Sequence, residues 1–297
     1  MTIAFPPSLR RAALSFLPFL ALAACSAPAI LTGINAFVPG DGNARLAARG
    51  IAYGPDERQR LDVWTPGRPA AGAKLPVVVF FYGGGWVSGS RQDYGFAGSA
   101  FAGKDFVAIL PDYRLVPQAR FPAFVEDGAL AVKWARDHAS EFGGDPKRIT
   151  LAGHSAGGYI AAMLALDPHF LRDAGVDPRT IRAAALLAAP LDFYPFTEAR
   201  GRDALGQWPR PAETQPISFA RPDAPPMFLA AGTADTIVRP RNSKALAARL
   251  QALGAPVELK LYPGKDHVDL AKALSRPFRA TAPVLADSTD FLHRHAR

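Results

Sequence analysis

The chain has 297 residues, 49% of them hydrophobic and 20% charged, with 26 Gly and 28 Pro distributed along it. That is enough apolar material for a sizeable core, which excludes a globally disordered chain. The net charge of +8 is thinly spread, with no run of Lys or Arg interleaved with aromatics, which argues against nucleic-acid binding.

The N-terminus differs from the rest. Residues 1–11 carry Arg10 and Arg11 and no acid, residues 12–23 are apolar but broken at Pro18, and Leu22-Ala23-Ala24-Cys25 follows. Basic, apolar and small-residue regions in that order read as a secretory signal over residues 1–24, too short and interrupted for a membrane span. Its end resembles the lipobox of bacterial lipoproteins, in which cleavage before the cysteine leaves a thiol that carries lipid. Cys25 is the only cysteine in the chain, so no disulfide framework competes for it. A lipid on Cys25 and an envelope location are expected, with an ordinary cleaved signal or an uncleaved anchor as the alternative. Ser26 in place of Asp resembles the signal for outer-membrane sorting, on the periplasmic face. Loss of Arg10 and Arg11 with the leader lowers the net charge to +6, read as a solvated surface in loose contact with anionic lipid.

Residues 25–49 read as a connector, and residues 50–297 as one domain. Strands are predicted at 60–64 and at 77–82, the second a Val and Phe run of the kind buried on both sheet faces. Tyr82-Gly83-Gly84-Gly85-Trp86 closes it. Three glycines leave backbone N–H groups bare beside a reacting carbonyl, as an oxyanion hole requires, although a flexible turn has the same composition. A strand at 106–110 precedes a helix at 124–142 that stops at Gly143-Gly144.

The strand at 149–152 runs into Gly153-His154-Ser155-Ala156-Gly157, which opens a helix at 159–166. Strand, sharp turn and helix with Ser at the apex form a nucleophile elbow, in which the residues flanking the strained serine must be small. A Gly-rich strand-to-helix loop is the bland alternative. The Ala156 amide, just after the nucleophile, is the accompanying oxyanion donor. Further strands are predicted at 183–188, 227–231 and 257–262, with helices at 243–253 and 282–295. The alternation predicts a mostly parallel central sheet with helices on both faces.

Residues 191–226 break that rhythm and are rich in Pro and aromatics. They read as a cap over a binding site, or as a surface excursion that only covers core. Phe193, Tyr194, Phe196, Trp208 and Phe219 within it, with Trp86, predict a small walled pocket suited to acyl groups of about two to six carbons.

Acyl transfer at a serine needs a base and a carboxylate to orient it. His267 is the only one of six histidines predicted in a loop directly after a strand. Asp235 follows the strand at 227–231, and the order Ser155, Asp235, His267 fits the elbow architecture. Asp192, which also follows a strand, is the other candidate acid.

These motifs, together with Asp112-Tyr113-Arg114-Leu115, Pro117, Glu126-Asp127 and Phe142-Gly143-Gly144-Asp145-Pro146, resemble the α/β-hydrolase superfamily from about residue 61 onward. The likeness is to esterases of the hormone-sensitive-lipase and feruloyl-esterase-like (BD-FAE-like) type. The resemblance implies an α/β-hydrolase fold and a serine hydrolase of carboxylic esters with no metal or other cofactor. It also implies Gly84 and Gly85 as oxyanion donors beside Ala156. The family's glycine motif usually begins with His, where this chain has Tyr82. An amidase or peptidase of the same fold, kynurenine-formamidase-like or prolyl-peptidase-like, is the rival expectation, and a non-catalytic binding protein a more distant one.

Overall fold

The computed structural model describes residues 40–68 and 72–297. The expected leader over residues 1–24 and Cys25 lie outside the described residues. The eight strands are β1 (Ala44–Ala52), β2 (Arg60–Pro66), β3 (Leu75–Phe81), β4 (Val107–Pro111), β5 (Gly144–His154), β6 (Ile181–Leu187), β7 (Met227–Gly232) and β8 (Val257–Tyr262). They form one sheet in the order β1-β2-β4-β3-β5-β6-β7-β8. β1 and β2 run antiparallel, and every pairing from β4 to β8 is parallel. This is the expected α/β-hydrolase arrangement.

The central strands follow their sequence closely. Val77, Val78, Val79, Phe80 and Phe81 of β3 are completely buried, because helices cover both faces of a parallel sheet. Helices α1 (Gly95–Ala102), α2 (Ala123–His138), α3 (Ala156–Leu166) and α4 (Pro168–Asp173) precede the excursion. Helices α5 (Ala199–Leu205), α6 (Arg241–Ala252), α7 (His267–Lys272) and α8 (Val284–His295) follow in or after it. α2 and α3 pack on each other and on β3 and β5, whereas α1 and α8 touch each other and serve the other face.

Several elements depart from the sequence expectation, which places no helix at α4 or α5 and starts β5 only at residue 149. The connector over 25–49 ends in β1, an edge strand with one paired neighbour whose half-exposed pattern dilutes the apolar signal. α1 was not predicted, since Gly-Phe-Ala-Gly-Ser-Ala-Phe-Ala has no polar face and every residue in it is buried. The helix expected over 124–142 is α2 followed by a 3₁₀ turn, Ala139–Phe142. His267 lies not in an open loop but at the first position of α7.

At the elbow, Ser155 sits at φ 53°, ψ −123°, outside the ordinary L-residue regions. Its N–H donates to the Leu187 carbonyl at 2.9 Å, and its carbonyl receives the Tyr159 N–H at 3.0 Å. This clamp requires α3 to start almost on the backbone of β3. A Cβ at Gly157 would lie 2.1 Å from the Phe81 carbonyl oxygen.

Because that obstacle is backbone, Gly157→Ala should destabilise the protein by about 3 kcal/mol. Gly42→Ala, whose methyl meets nothing within 4 Å, should change stability by less than about 0.5 kcal/mol. Urea unfolding midpoints of the two variants test the difference; equal midpoints would show that α3 slides away from β3 at little cost.

Candidate active site

In a parallel sheet the loops after successive strands open along one edge, and ligands bind there. Gly83 to Gly85 follow β3, Ser155 follows β5, Asp235 follows β7 and His267 follows β8. Ser155 Oγ lies 2.9 Å from His267 Nε2, and His267 Nδ1 lies 2.8 Å from Asp235 Oδ2. A carboxylate only accepts, so Nδ1 carries the proton and Nε2 is left to accept from the serine hydroxyl. The other carboxylate oxygen of Asp235 accepts the N–H groups of Ile237 at 2.9 Å and Val238 at 2.8 Å. Asp235 is thus fixed at both oxygens in a buried position. Asp192 is the acid left out. Its N–H and that of Leu191 both donate to Asn242 Oδ1 at 3.0 Å, while His267 faces Asp235.

His154, inside the elbow, has a role the sequence did not disclose. Its Nε2 donates to the His267 carbonyl oxygen at 2.9 Å, which leaves Nδ1 to accept from the Tyr94 hydroxyl at 2.9 Å. Both groups pack directly against the glycine loop, where a Cβ on Gly83 would lie 2.9 Å from the Tyr94 hydroxyl and 2.9 Å from His154 Nδ1. Tyr94 and His154 therefore join the floor of the glycine loop to the backbone of His267. Burial, and then the neighbouring His267, push the His154 pKa down to about 3, so the ring is neutral at ordinary pH.

Gly84 and Gly85 adopt φ 147° and 62°, and the turn closes through Val87 and Ser88 N–H groups donating to the Gly84 carbonyl. Among the described residues, the N–H groups of Gly84, Gly85 and Ala156 donate to no protein acceptor. Ala156 is the first residue of α3, where an orphan N–H and the helix dipole both favour negative charge. Tyr82 replaces the family histidine by a different brace. Arg58 Nη2 donates to its hydroxyl at 2.8 Å and to the Gly89 carbonyl at 3.1 Å. The Tyr82 ring stacks on Tyr113 at 4.5 Å, and the Tyr113 hydroxyl donates to the Tyr82 carbonyl at 2.9 Å. Burial raises the Tyr82 pKa, so the phenol stays protonated.

Two acids of the quoted motifs are structural. Asp112 pairs with Arg91 and accepts its N–H; fully buried Asp127 holds Arg114 and receives Gln59 Nε2 at 2.7 Å. They tie the strand ends below the site and do not line it.

Ser155 and His267 open into a cavity of about 830 Å³. Residues 191–226 supply part of its wall through Phe193, Phe196 and α5. Trp86 stacks on Phe193 at 6.2 Å and meets Tyr159 edge-on at 5.3 Å, so this wall is rigid and aromatic. Of the six rings expected there, Trp86, Phe193 and Phe196 line the cavity. Trp208 and Phe219 line a separate depression with Phe121 and Phe170, and Tyr194 is exposed.

The BD-FAE family model matches residues 61–250. The isoprenylcysteine alpha-carbonyl methylesterase ICME of Arabidopsis thaliana is 31% identical over 265 residues, which cover 82% of this chain and 61% of that protein. Carboxylesterase NlhH of Mycobacterium tuberculosis is 32% identical over 273 residues, 84% of this chain and 83% of the relative. Esterase 2 of Thermogutta terrifontis, phosphonylated by sarin, superposes with a TM-score of 0.71 at 27% identity, covering 84% of this chain and 95% of that one. Structures of the same esterase have butyrate or propionate bound. The chain spans 51–61% of the length of the three Arabidopsis relatives.

The buried neutral His154 generates a pH prediction. Unfolded, this residue takes up a proton below its ordinary pKa of about 6.5; folded, it does so only near 3. Stability present above pH 6.5 is therefore lost as the pH falls, by up to about 1.4 kcal/mol per unit from this group. In His154→Gln, urea unfolding at pH 7, 6 and 5 should show a shallower acid loss, and an unchanged slope would mean that the ring protonates in the folded state.

Proposed function

This chain belongs to the BD-FAE family, and on that premise we propose that it is a serine carboxylesterase acting through an acyl-enzyme. The observation that carries the reading is the continuous Ser155–His267–Asp235 hydrogen-bond chain beside three unoccupied N–H donors. Ser155 Oγ attacks the ester carbonyl carbon while His267 Nε2 takes the hydroxyl proton. Asp235 holds the ring and stabilises its imidazolium form. The carbonyl oxygen becomes an oxyanion held by the N–H groups of Gly84, Gly85 and Ala156, where fixed dipoles act without reorganising. Collapse breaks the bond to the alcohol, which leaves with the proton from His267. Water then adds to the acyl carbon, with His267 again taking its proton, and the acid departs as Ser155 recovers its hydrogen.

The same reading extends to substrate size. The Trp86, Phe193 and Phe196 wall supports a preference for short acyl groups, in keeping with the butyrate and propionate held by the Thermogutta esterase. It extends also to location: the order of residues 1–25 supports export, a lipid on Cys25 and attachment at the periplasmic face of an outer membrane. Small-molecule ester and membrane lipid are the partners this reading requires.

Ser155→Ala should lower hydrolysis by about 10⁴-fold or more and abolish fluorophosphonate labelling. With p-nitrophenyl esters below their micelle concentrations, kcat/KM should rise roughly fourfold per added methylene at first, as about 0.8 kcal/mol of burial is gained. It should then fall beyond about six carbons. Persistent activity in Ser155→Ala sinks the nucleophile assignment, and a rise continuing through about twelve carbons sinks the short-pocket reading.

Cys25→Ser should release active protein from the membrane fraction with kcat unchanged, since the lipid site is remote in sequence from the catalytic elements. Equal labelling of wild type and variant by a palmitate analogue would overturn the lipoprotein reading.

A further inference from the structure

Three arginines line the cavity that holds Ser155: Arg200, Arg239 and Arg241. They come from separate parts of the chain. Arg200 lies in α5 of the 191–226 excursion, Arg239 in the segment that follows Asp235, and Arg241 at the first position of α6. Among the described residues, none of the three has an ion-pair or side-chain hydrogen-bond partner. Nine other arginines are paired with Asp or Glu, whereas these three line the same cavity as the nucleophile with no acid bound to them.

The stem of exposed Arg200 lies against the oxyanion loop: a Cβ built on Gly85 would meet its Cδ at 2.9 Å and its Nη1 at 3.5 Å. The guanidinium therefore lies within a few ångströms of a proposed oxyanion donor. Two acids share the cavity lining, Asp93 and Glu198. Asp93 accepts from the Ser90 hydroxyl at 2.7 Å, and Glu198 is exposed at the residue before α5. Cations outnumber acids in the lining, which also carries the aromatic wall. Guanidinium forks bind carboxylate and phosphate through paired N–H groups, and a cleft with low-dielectric walls strengthens their field. A short acyl chain occupies only a fraction of about 830 Å³, which leaves room for a second substrate group at the arginines.

We propose that the ester taken by this site carries an anionic group, a carboxylate or a phosphate, bound by Arg200, Arg239 and Arg241 while its carbonyl lies between Ser155 and the oxyanion N–H groups. The proposal rests on the esterase reading and narrows it to a substrate class. The chemistry is ordinary ester hydrolysis: the bond to the alcohol breaks, water supplies the new hydroxyl of the acid, and the anionic group is held without reacting.

The test compares matched anionic and neutral esters on wild type and on the R200Q/R239Q/R241Q variant. One arm places the charge on the acyl side, with mono-p-nitrophenyl glutarate against p-nitrophenyl valerate. A second places a carboxylate on the alcohol side, with 4-acetoxybenzoate against p-tolyl acetate, and a third replaces that carboxylate by phosphate, with 4-acetoxyphenyl phosphate. The anionic-to-neutral ratio of kcat/KM, compared between the two proteins, cancels differences in intrinsic reactivity. In at least one arm that ratio should fall at least fivefold in the variant. In wild type it should fall as salt rises from about 20 mM to about 0.5 M, since the arginines are exposed. R200Q alone serves if the triple variant fails to fold. A ratio that changes less than fivefold in every arm overturns the proposal. Wild type that hydrolyses none of the esters, neutral ones included, would instead overturn the esterase reading on which it rests.

Discussion

The positive φ of Ser155 is the constraint on which the rest of the site depends. A serine held at φ 53° relaxes unless both sides of the turn are clamped, and here the clamp is backbone on backbone. α3 begins against the carbonyls of Phe81 and Tyr82, at a separation only glycine at position 157 allows. Close approach of α3 to β3 lifts Ser Oγ above the sheet edge, leaves the Ala156 N–H at a bare helix start, and brings the nucleophile beside the glycine loop that leaves β3. The strain at one residue and the placement of three functional groups are thus one piece of geometry.

Around that point the structure uses neutral hydrogen bonds to hold charged chemistry in register. Asp235 is fixed by two backbone N–H groups before it meets His267, and His154 fixes the backbone of the same His267 from beneath. Placing a neutral imidazole there avoids a second positive charge beside the imidazolium that forms in the proposed mechanism. Tyr82 shows that loop bracing need not come from a histidine at its head. A buried phenol, an arginine reaching Tyr82, Tyr113 and Gly89, and a stacked tyrosine give three attachments to the same stretch of chain.

The cavity above this machinery is divided in character. Its aromatic wall is made of interlocked rings that resist displacement, suited to measuring the size of an apolar group. Its cationic lining is exposed and solvated, suited to selecting charge with little cost when unoccupied. Excursion residues contribute to both, since Phe193 and Phe196 belong to the first and Arg200 to the second.

What the sequence determined was whatever rests on local composition. The Val and Phe run of β3 announced a buried strand, the small residues around Ser155 announced the elbow, and strand-end positions marked Asp235 and His267. β1 and α1 were hidden because an edge strand and an all-buried helix lack the amphipathic contrast that periodicity detects. Only the tertiary structure decided between Asp235 and Asp192, since both follow strands and the choice depends on which carboxylate the loop after β7 or β6 turns toward an imidazole 32 or 75 residues away in the chain. Only it brought His154 against the His267 carbonyl, placed Trp208 and Phe219 in a depression apart from Trp86, Phe193 and Phe196, and put Arg200, Arg239 and Arg241 in the lining of one cavity. Those relations are distances between segments remote in sequence, fixed by how helices and loops pack over the sheet edge, and no local pattern of residue types encodes them.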